Sequence, residues 1–144
     1  MALVTRADRY RVLGRVTATN SSLTASTHTT MQDPTNQMSV SVTYQGNRIL
    51  RVTVGCGPLA SGGAQGLLYA VLRSSTTIVG FAVDASLATL HDSRTFTYTF
   101  SGPATGATET FKLQMAARTA NTAVTDFGSA TYIRSLVVED LGPQ

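Results

Sequence analysis

Tryptophan is absent from this 144-residue chain, cysteine occurs once, histidine twice, and charged residues make up only 13%. Each shortage excludes something. The lone Cys56, within Gly55-Cys56-Gly57-Pro58, can form no intrachain disulfide and offers no cysteine cluster for zinc, so stability has to come from packing. Nothing basic lies near it in sequence, and it reads as a small buried filler in preference to a nucleophile. The lack of tryptophan weakens any case for a sugar-stacking platform, and Tyr44, Tyr69, Tyr98 and Tyr132 fall inside strand patterns, where they read as packing residues. The opening residues, Met1-Ala2-Leu3-Val4-Thr5-Arg6, lack the apolar core of about seven residues that a secretory signal needs. No run approaches the roughly 20 apolar residues of a membrane span. The expectation is a soluble chain made in the cytoplasm, with no membrane partner.

Charge is scarce and unevenly placed. Eleven basic residues against eight acidic ones give a net charge of +3, and four of the basic ones, Arg6, Arg9, Arg11 and Arg15, lie in the first fifteen positions beside a single acid, Asp8. That clustering marks a basic N-terminal arm suited to docking on an acidic or polar surface. The body has Lys112 and scattered arginines, without the aromatic and basic interleaving of single-strand binders, so no nucleic-acid partner is expected. With 42% hydrophobic residues and threonine and serine filling the place of charge, the surface is hydroxyl-rich and poorly protected against association. Self-association follows as an expectation.

The chemistry-bearing residues do not assemble into a catalytic pattern. His28 lies in the polar run Ser26-Thr27-His28-Thr29-Thr30. His91 is followed by Asp92 and Ser93, but neighbours in sequence diverge, and no Gly-x-Ser-x-Gly elbow occurs. The carboxylates Asp8, Asp33, Asp84, Asp92, Glu109, Asp126, Glu139 and Asp140 include no isolated glycosidase pair and no Asp-x-Asp calcium ladder. The glycine-rich stretch 55–66 lacks the Gly-Lys-Ser/Thr ending of a phosphate cradle and reads as a flexible loop. No catalytic residue, metal or cofactor is therefore expected. Glu139-Asp140 is the only adjacent acidic pair, either solvated at a strand end or ion-paired with an arginine of this or a neighbouring subunit.

Strand signals recur along the chain and helical periodicity is nearly absent. Residues 11–19 give a first strand, and 20–37 form a polar linker or crossover. Met38, Val40, Val42 and Tyr44 alternate with Ser39, Ser41 and Thr43. Gln45-Gly46-Asn47 then reads as a hairpin turn in which Gly46 and Asn47 take positive φ, leading to Leu50, Val52 and Val54. Residues 67–73 and 76–83 read as central strands around Ser74-Ser75, and 84–92 leaves room for one helical turn. Phe96, Tyr98 and Phe100 face inward, answered by Phe111, Leu113 and Met115 across the loop 101–109. A last strand spans 130–138 and is closed by 139–143. The sum is an all-β fold, an antiparallel β-sandwich or jelly roll of about eight strands with a short N-terminal arm. Its segments are 1–20 (basic arm and first strand), 21–37 (linker) and 38–144 (sandwich).

The run Thr110-Phe111-Lys112-Leu113-Gln114-Met115-Ala116-Ala117-Arg118, with the ending Ile133-Arg134-Ser135-Leu136-Val137-Val138-Glu139-Asp140-Leu141-Gly142-Pro143, resembles the C-terminal module of small virion proteins of tailed bacteriophages, especially those of actinobacteria. More loosely, the likeness spans most of residues 11–143. It implies a homotrimeric, jelly-roll-like domain on the virion exterior, with Glu139, Asp140 and Gly142 as a structural C-terminal motif. The partners it implies are other copies of the chain and the major capsid protein or tail proteins. A short arm in place of a fibre segment favours a capsid decoration protein over a long receptor-binding fibre. The alternative is a minor tail or tail-tip protein that binds host glycan through loops such as 55–66 or 101–109.

Overall fold

In a computed structural model the described residues are 10–18, 21–23, 30–57, 59–61, 67–83, 94–117, 124–126 and 134–144. They form eleven β-strands: β1 (Arg11–Ala18), β2 (Ser21–Leu23), β3 (Ser39–Tyr44), β4 (Arg48–Cys56), β5 (Leu59–Ser61), β6 (Leu67–Arg73), β7 (Thr76–Val83), β8 (Arg94–Ser101), β9 (Ala107–Ala117), β10 (Val124–Asp126) and β11 (Arg134–Pro143). Eight of these make two four-stranded sheets, in the orders β1-β11-β4-β8 and β3-β9-β6-β7, and β2-β10-β5 form a small third sheet. All the pairings are antiparallel.

The pairs β6–β7, β4–β8, β3–β9 and β1–β11 are nested around the two-residue turn Ser74-Ser75, where Ser74 takes φ 55°. A chain doubled back in this way and then rolled so that alternate pairs fall in opposite sheets is a jelly roll. The expected all-β jelly-roll sandwich is what the chain adopts.

The period-2 pattern decides the core. β4 buries Arg48, Leu50, Val52, Val54 and Cys56 and leaves the residues between them half-exposed. β3 does the same with Val42 and Tyr44, its serines and Thr43 pointing outward. Leu50, Val52, Val54, Leu136 and Val138 of the first sheet meet Val42, Val71, Phe111, Leu113 and Met115 of the second. At the β1/β3 side the sheets close tightly: a Cβ on Gly14 would lie 2.6 Å from Val42 Cγ1 and 2.7 Å from Val40 Cγ2.

Several local expectations are revised by this topology. The turn 45–47 is not a hairpin, because β3 and β4 lie in different sheets and pair with other strands. Asn47 alone takes positive φ there, 54°. Gly46 is needed for space instead, since a Cβ on it would stand 2.1 Å from the Ala104 carbonyl oxygen. β7 ends its sheet and is not central, with Thr76, Thr77 and Gly80 exposed. Within the loop expected at 55–66, Gly55 and Cys56 finish β4 and Leu59–Ser61 is a strand, while 58 and 62–66 lie outside the described residues. Residues 139–143 prolong the last strand and do not close it. β1, the first strand expected within residues 1–20, is an integral edge of the first sheet. The polar stretch 20–37 crosses between sheets, since β1 and β3 lie in different ones. Within it are β2 and a bridge from Gln32 to Met115. The helical turn considered at 84–92 lies outside the described residues.

Candidate functional site

The C-terminal motif occupies the inside of the first sheet, with β11 held between β1 and β4. Alternation sends Asp140 inward and Glu139 to the outer face. Asp140, buried, accepts from Arg48 Nε at 2.9 Å on both oxygens, and Arg11 Nε stands 3.8 Å away at the mouth. Its Oδ1 also accepts the Gly142 backbone N–H at 2.9 Å, across the bulge that lets Leu141 fall out of register. Gly142 has φ 123°, a conformation that side-chain-bearing residues rarely adopt. The motif therefore works as a strand lock: an ion pair inside, a bulge, and a glycine that the bulge requires.

On the outer face Glu139 accepts from Arg51 Nε at 2.7 Å and from the Tyr10 hydroxyl, and the Arg51 guanidinium lies 5.5 Å from the Tyr10 ring centre. The Arg51 hydrogen bond holds the Glu139 carboxyl below the usual range, with the Tyr10 bond adding to it against the opposing effect of burial. The same contact with Glu139 raises the Tyr10 hydroxyl pKa.

A second cluster lies between the sheets. Glu109 accepts from Arg73 Nε at 2.7 Å and from the Tyr44 hydroxyl, and the Arg73 guanidinium sits 5.4 Å over the Phe100 ring. Burial raises the Glu109 carboxyl pKa despite that arginine. On the exposed side of β9, Asp33 accepts from Gln114 at 2.6 Å and from Lys112 at 3.1 Å; the Gln114 bond leads in lowering its pKa.

These four carboxylates are each tied to a basic side chain, and among the described residues no three His, Cys, Asp or Glu side chains gather as a metal site would need. The Glu139-Asp140 pair is thus ion-paired within its own subunit. The arginines that hold it, Arg48 and Arg51, were not singled out in the sequence, because only the β4–β11 pairing sets Arg51 opposite Glu139 and Arg48, opposite Pro143, within reach of Asp140. Cys56 is buried at the end of β4. Of the arm residues, Arg11 and Arg15 stand exposed on β1, while Arg6 and Arg9 lie outside the described residues, as do His28 and His91.

At the side opposite β1 and β3, β8 and β7 are the end strands of the two described sheets. A cleft of about 140 Å³ runs between β8 and β7, lined by Val52, Val54, Val71, Val79, Phe96 and Tyr98 together with Thr97. Among the described residues the exposed large apolar side chains are Tyr10 (54%), just before β1, Val12 (53%) on β1 and Tyr98 (38%) on β8.

No protein-family model matches the chain and no curated protein matches it. Among solved structures it is similar to the CBM22-1–GH10 modules of the Clostridium thermocellum N-terminal endo-1,4-β-D-xylanase 10B complexed with xylohexaose, at 12% identity and TM-score 0.47, over 94% of this chain and 29% of that one. It is also similar to a CBM4 structure, at 13% identity and TM-score 0.42, over 99% of this chain and 92% of the other. A third likeness is to dimeric latent PorU from Porphyromonas gingivalis, at 10% identity and TM-score 0.42, over 89% of this chain and 13% of that one. The chain thus spans less than a third of the xylanase chain. At these identities and scores the likenesses carry no functional argument.

Proposed function

We propose that the chain is a non-enzymatic structural protein of a tailed-phage virion, a decoration protein that sits on the head exterior as a homotrimer and stabilises the shell. The observation that carries the reading is the ending Val138-Glu139-Asp140-Leu141-Gly142-Pro143, whose likeness to phage virion proteins falls on residues locked into the centre of the first sheet by Arg48 and Arg51. Asp33, Glu109, Glu139 and Asp140 are engaged in ion pairs inside the chain, and the exposed positions of β3 and β8 are mostly hydroxyl-bearing. Such a surface suits contact with other protein copies better than chemistry. Arg15, exposed on β1, continues the basic segment that begins with Arg6 and Arg9 and supplies the docking charge toward the shell.

Imaging of the virion with a gold-labelled antibody to this chain tests the reading. Label over the head is expected; label confined to the tail tip transfers the protein to the host-binding alternative, and an unlabelled particle overturns the virion role. Arg6→Gln, Arg9→Gln and Arg15→Gln together reduce head occupancy if the arm docks. Deleting residues 1–15 is a poor substitute, because it removes much of β1.

A further inference from the structure

Four strands end the two main sheets, and three of them are defended. β1 carries a bulge between Val12 and Gly14 and exposes Arg11 and Arg15. β7 is bulged against β6 where Val71 and Leu72 shift register. β3 is short, six residues, and is pressed against β1 at Gly14. Bulges and charges are the usual means by which an edge refuses another strand. β8 has no bulge: its eight residues run in unbroken register along β4, and after Arg94 at its start it holds no charge and no proline from Thr95 to Ser101. No described strand pairs with its outer side.

The strand is also self-complementary. Thr95, Thr97 and Thr99 are exposed on the outer face, and Phe96, Tyr98 and Phe100 stand on the inner one, where Tyr98 stacks on Phe100 with ring centres 6.1 Å apart. Phe96 and Tyr98 line the cleft. A two-fold axis normal to the sheet pairs residues of equal parity, so the register centres on Thr97 or on Tyr98. In the first case Thr97 meets its own copy, Thr95 meets Thr99 and Phe96 meets Tyr98. In the second Thr97 meets Thr99 and Phe96 meets Phe100. Hydroxyl faces hydroxyl and ring faces ring in both, while the two Arg94 side chains fall at opposite ends. The chain already uses this ladder internally, at Ser41–Thr110 (2.7 Å) and Thr43–Thr108 (2.8 Å) between β3 and β9.

We infer that β8 is a homotypic docking edge, at which a second copy adds its own β8 antiparallel and joins two four-stranded sheets into one. Cross-strand threonine and aromatic pairs supply specificity, and the ladder of backbone hydrogen bonds supplies the strand addition. The inference rests on the self-associating part of the proposed function. A two-fold contact is distinct from a three-fold one, and a protein with both would tile a curved surface, trimer joined to trimer.

Mild oxidation of Thr97→Cys/Thr99→Cys should cross-link copies in either register, whereas Thr43→Cys, exposed on the outer face of β3, should not; Cys56 is buried and stays out of the reaction. Thr97→Lys/Thr99→Lys places like charges opposite one another across the two copies and should weaken the two-fold association by about tenfold or more in sedimentation velocity; Thr99 also lies opposite Arg51 within the chain, so circular dichroism checks that the variant is folded. Cross-linking no greater than that of Thr43→Cys, or lysine-variant association equal to wild type, overturns the β8 contact. Virion labelling is scored separately: cross-linking through β8 with an unlabelled particle refutes the virion reading alone, and head label without cross-linking refutes the β8 contact alone.

Discussion

Replacing Asp140 with alanine removes the centre of the strand lock. The change strips both 2.9 Å contacts from Arg48, whose side chain is only 9% exposed, removes the acceptor for the Gly142 N–H, and leaves Arg11 without the carboxylate at 3.8 Å. Removing one member of a buried ion pair leaves the other charge stranded in low dielectric and costs about 3–5 kcal/mol. For a domain of this size about 1 kcal/mol corresponds to roughly 3–5 °C, so the thermal midpoint should fall by about 10–20 °C. Urea unfolding of Asp140→Ala and Arg48→Met, singly and together, checks the value. An unchanged m-value assigns the loss to the folded state. The double variant should lose much less than the sum of the singles, because no charge is then left stranded and a well-packed apolar replacement of a buried pair is often close to neutral. A loss below about 1 kcal/mol for Asp140→Ala, or simple additivity in the double variant, would show that the pair is solvated in solution and that the lock reasoning is wrong.

Three further outcomes are expected. Gly14→Ala forces a methyl onto Val40 and Val42 and should destabilise by about 1–3 kcal/mol, with partial rescue by Val42→Ala, measured by the same urea titration. Glu139 has a lowered folded pKa, so its contribution is present above its unfolded value near 4.5 and is lost as pH falls through the folded value. Glu139→Gln should therefore flatten the stability profile on the acid side of pH 4.5, whereas Glu109, whose folded pKa is raised, contributes the opposite slope, which Glu109→Gln should remove; a profile unchanged in both variants refutes the assignment. Gly142→Ala strains the backbone at φ 123° and should lower the thermal midpoint in scanning calorimetry by more than an exposed Ser39→Ala does.

The strands were legible wherever one face is buried and the other wet. In β3 and β4, alternation between valine or leucine and hydroxyl or charged residues specifies which side chains go inward whatever strand lies alongside. The β6–β7 hairpin was equally readable, because its two-residue turn joins strands that are neighbours in sequence. Strand ends were read less well. Glu139-Asp140-Leu141-Gly142-Pro143 has the composition of a terminus, and it stays in the sheet only because Arg48 and Arg51 arrive from β4 to neutralise it.

What the sequence by itself determined is thus the all-β class, the inward set of β3, β4, β8 and β9, and the shortage of catalytic groups, since each depends on local periodicity or on inventory. Tertiary structure decided which strands pair. The turns at 45–47 and 102–106 look like hairpin loops locally, yet each carries the chain from one sheet to the other, a choice made by packing between residues far apart in sequence. The same long-range pairing converts Glu139 and Asp140 from surface charges into a lock and leaves β8, with its alternating threonines and aromatic rings, at the end of its sheet with no described strand beyond it.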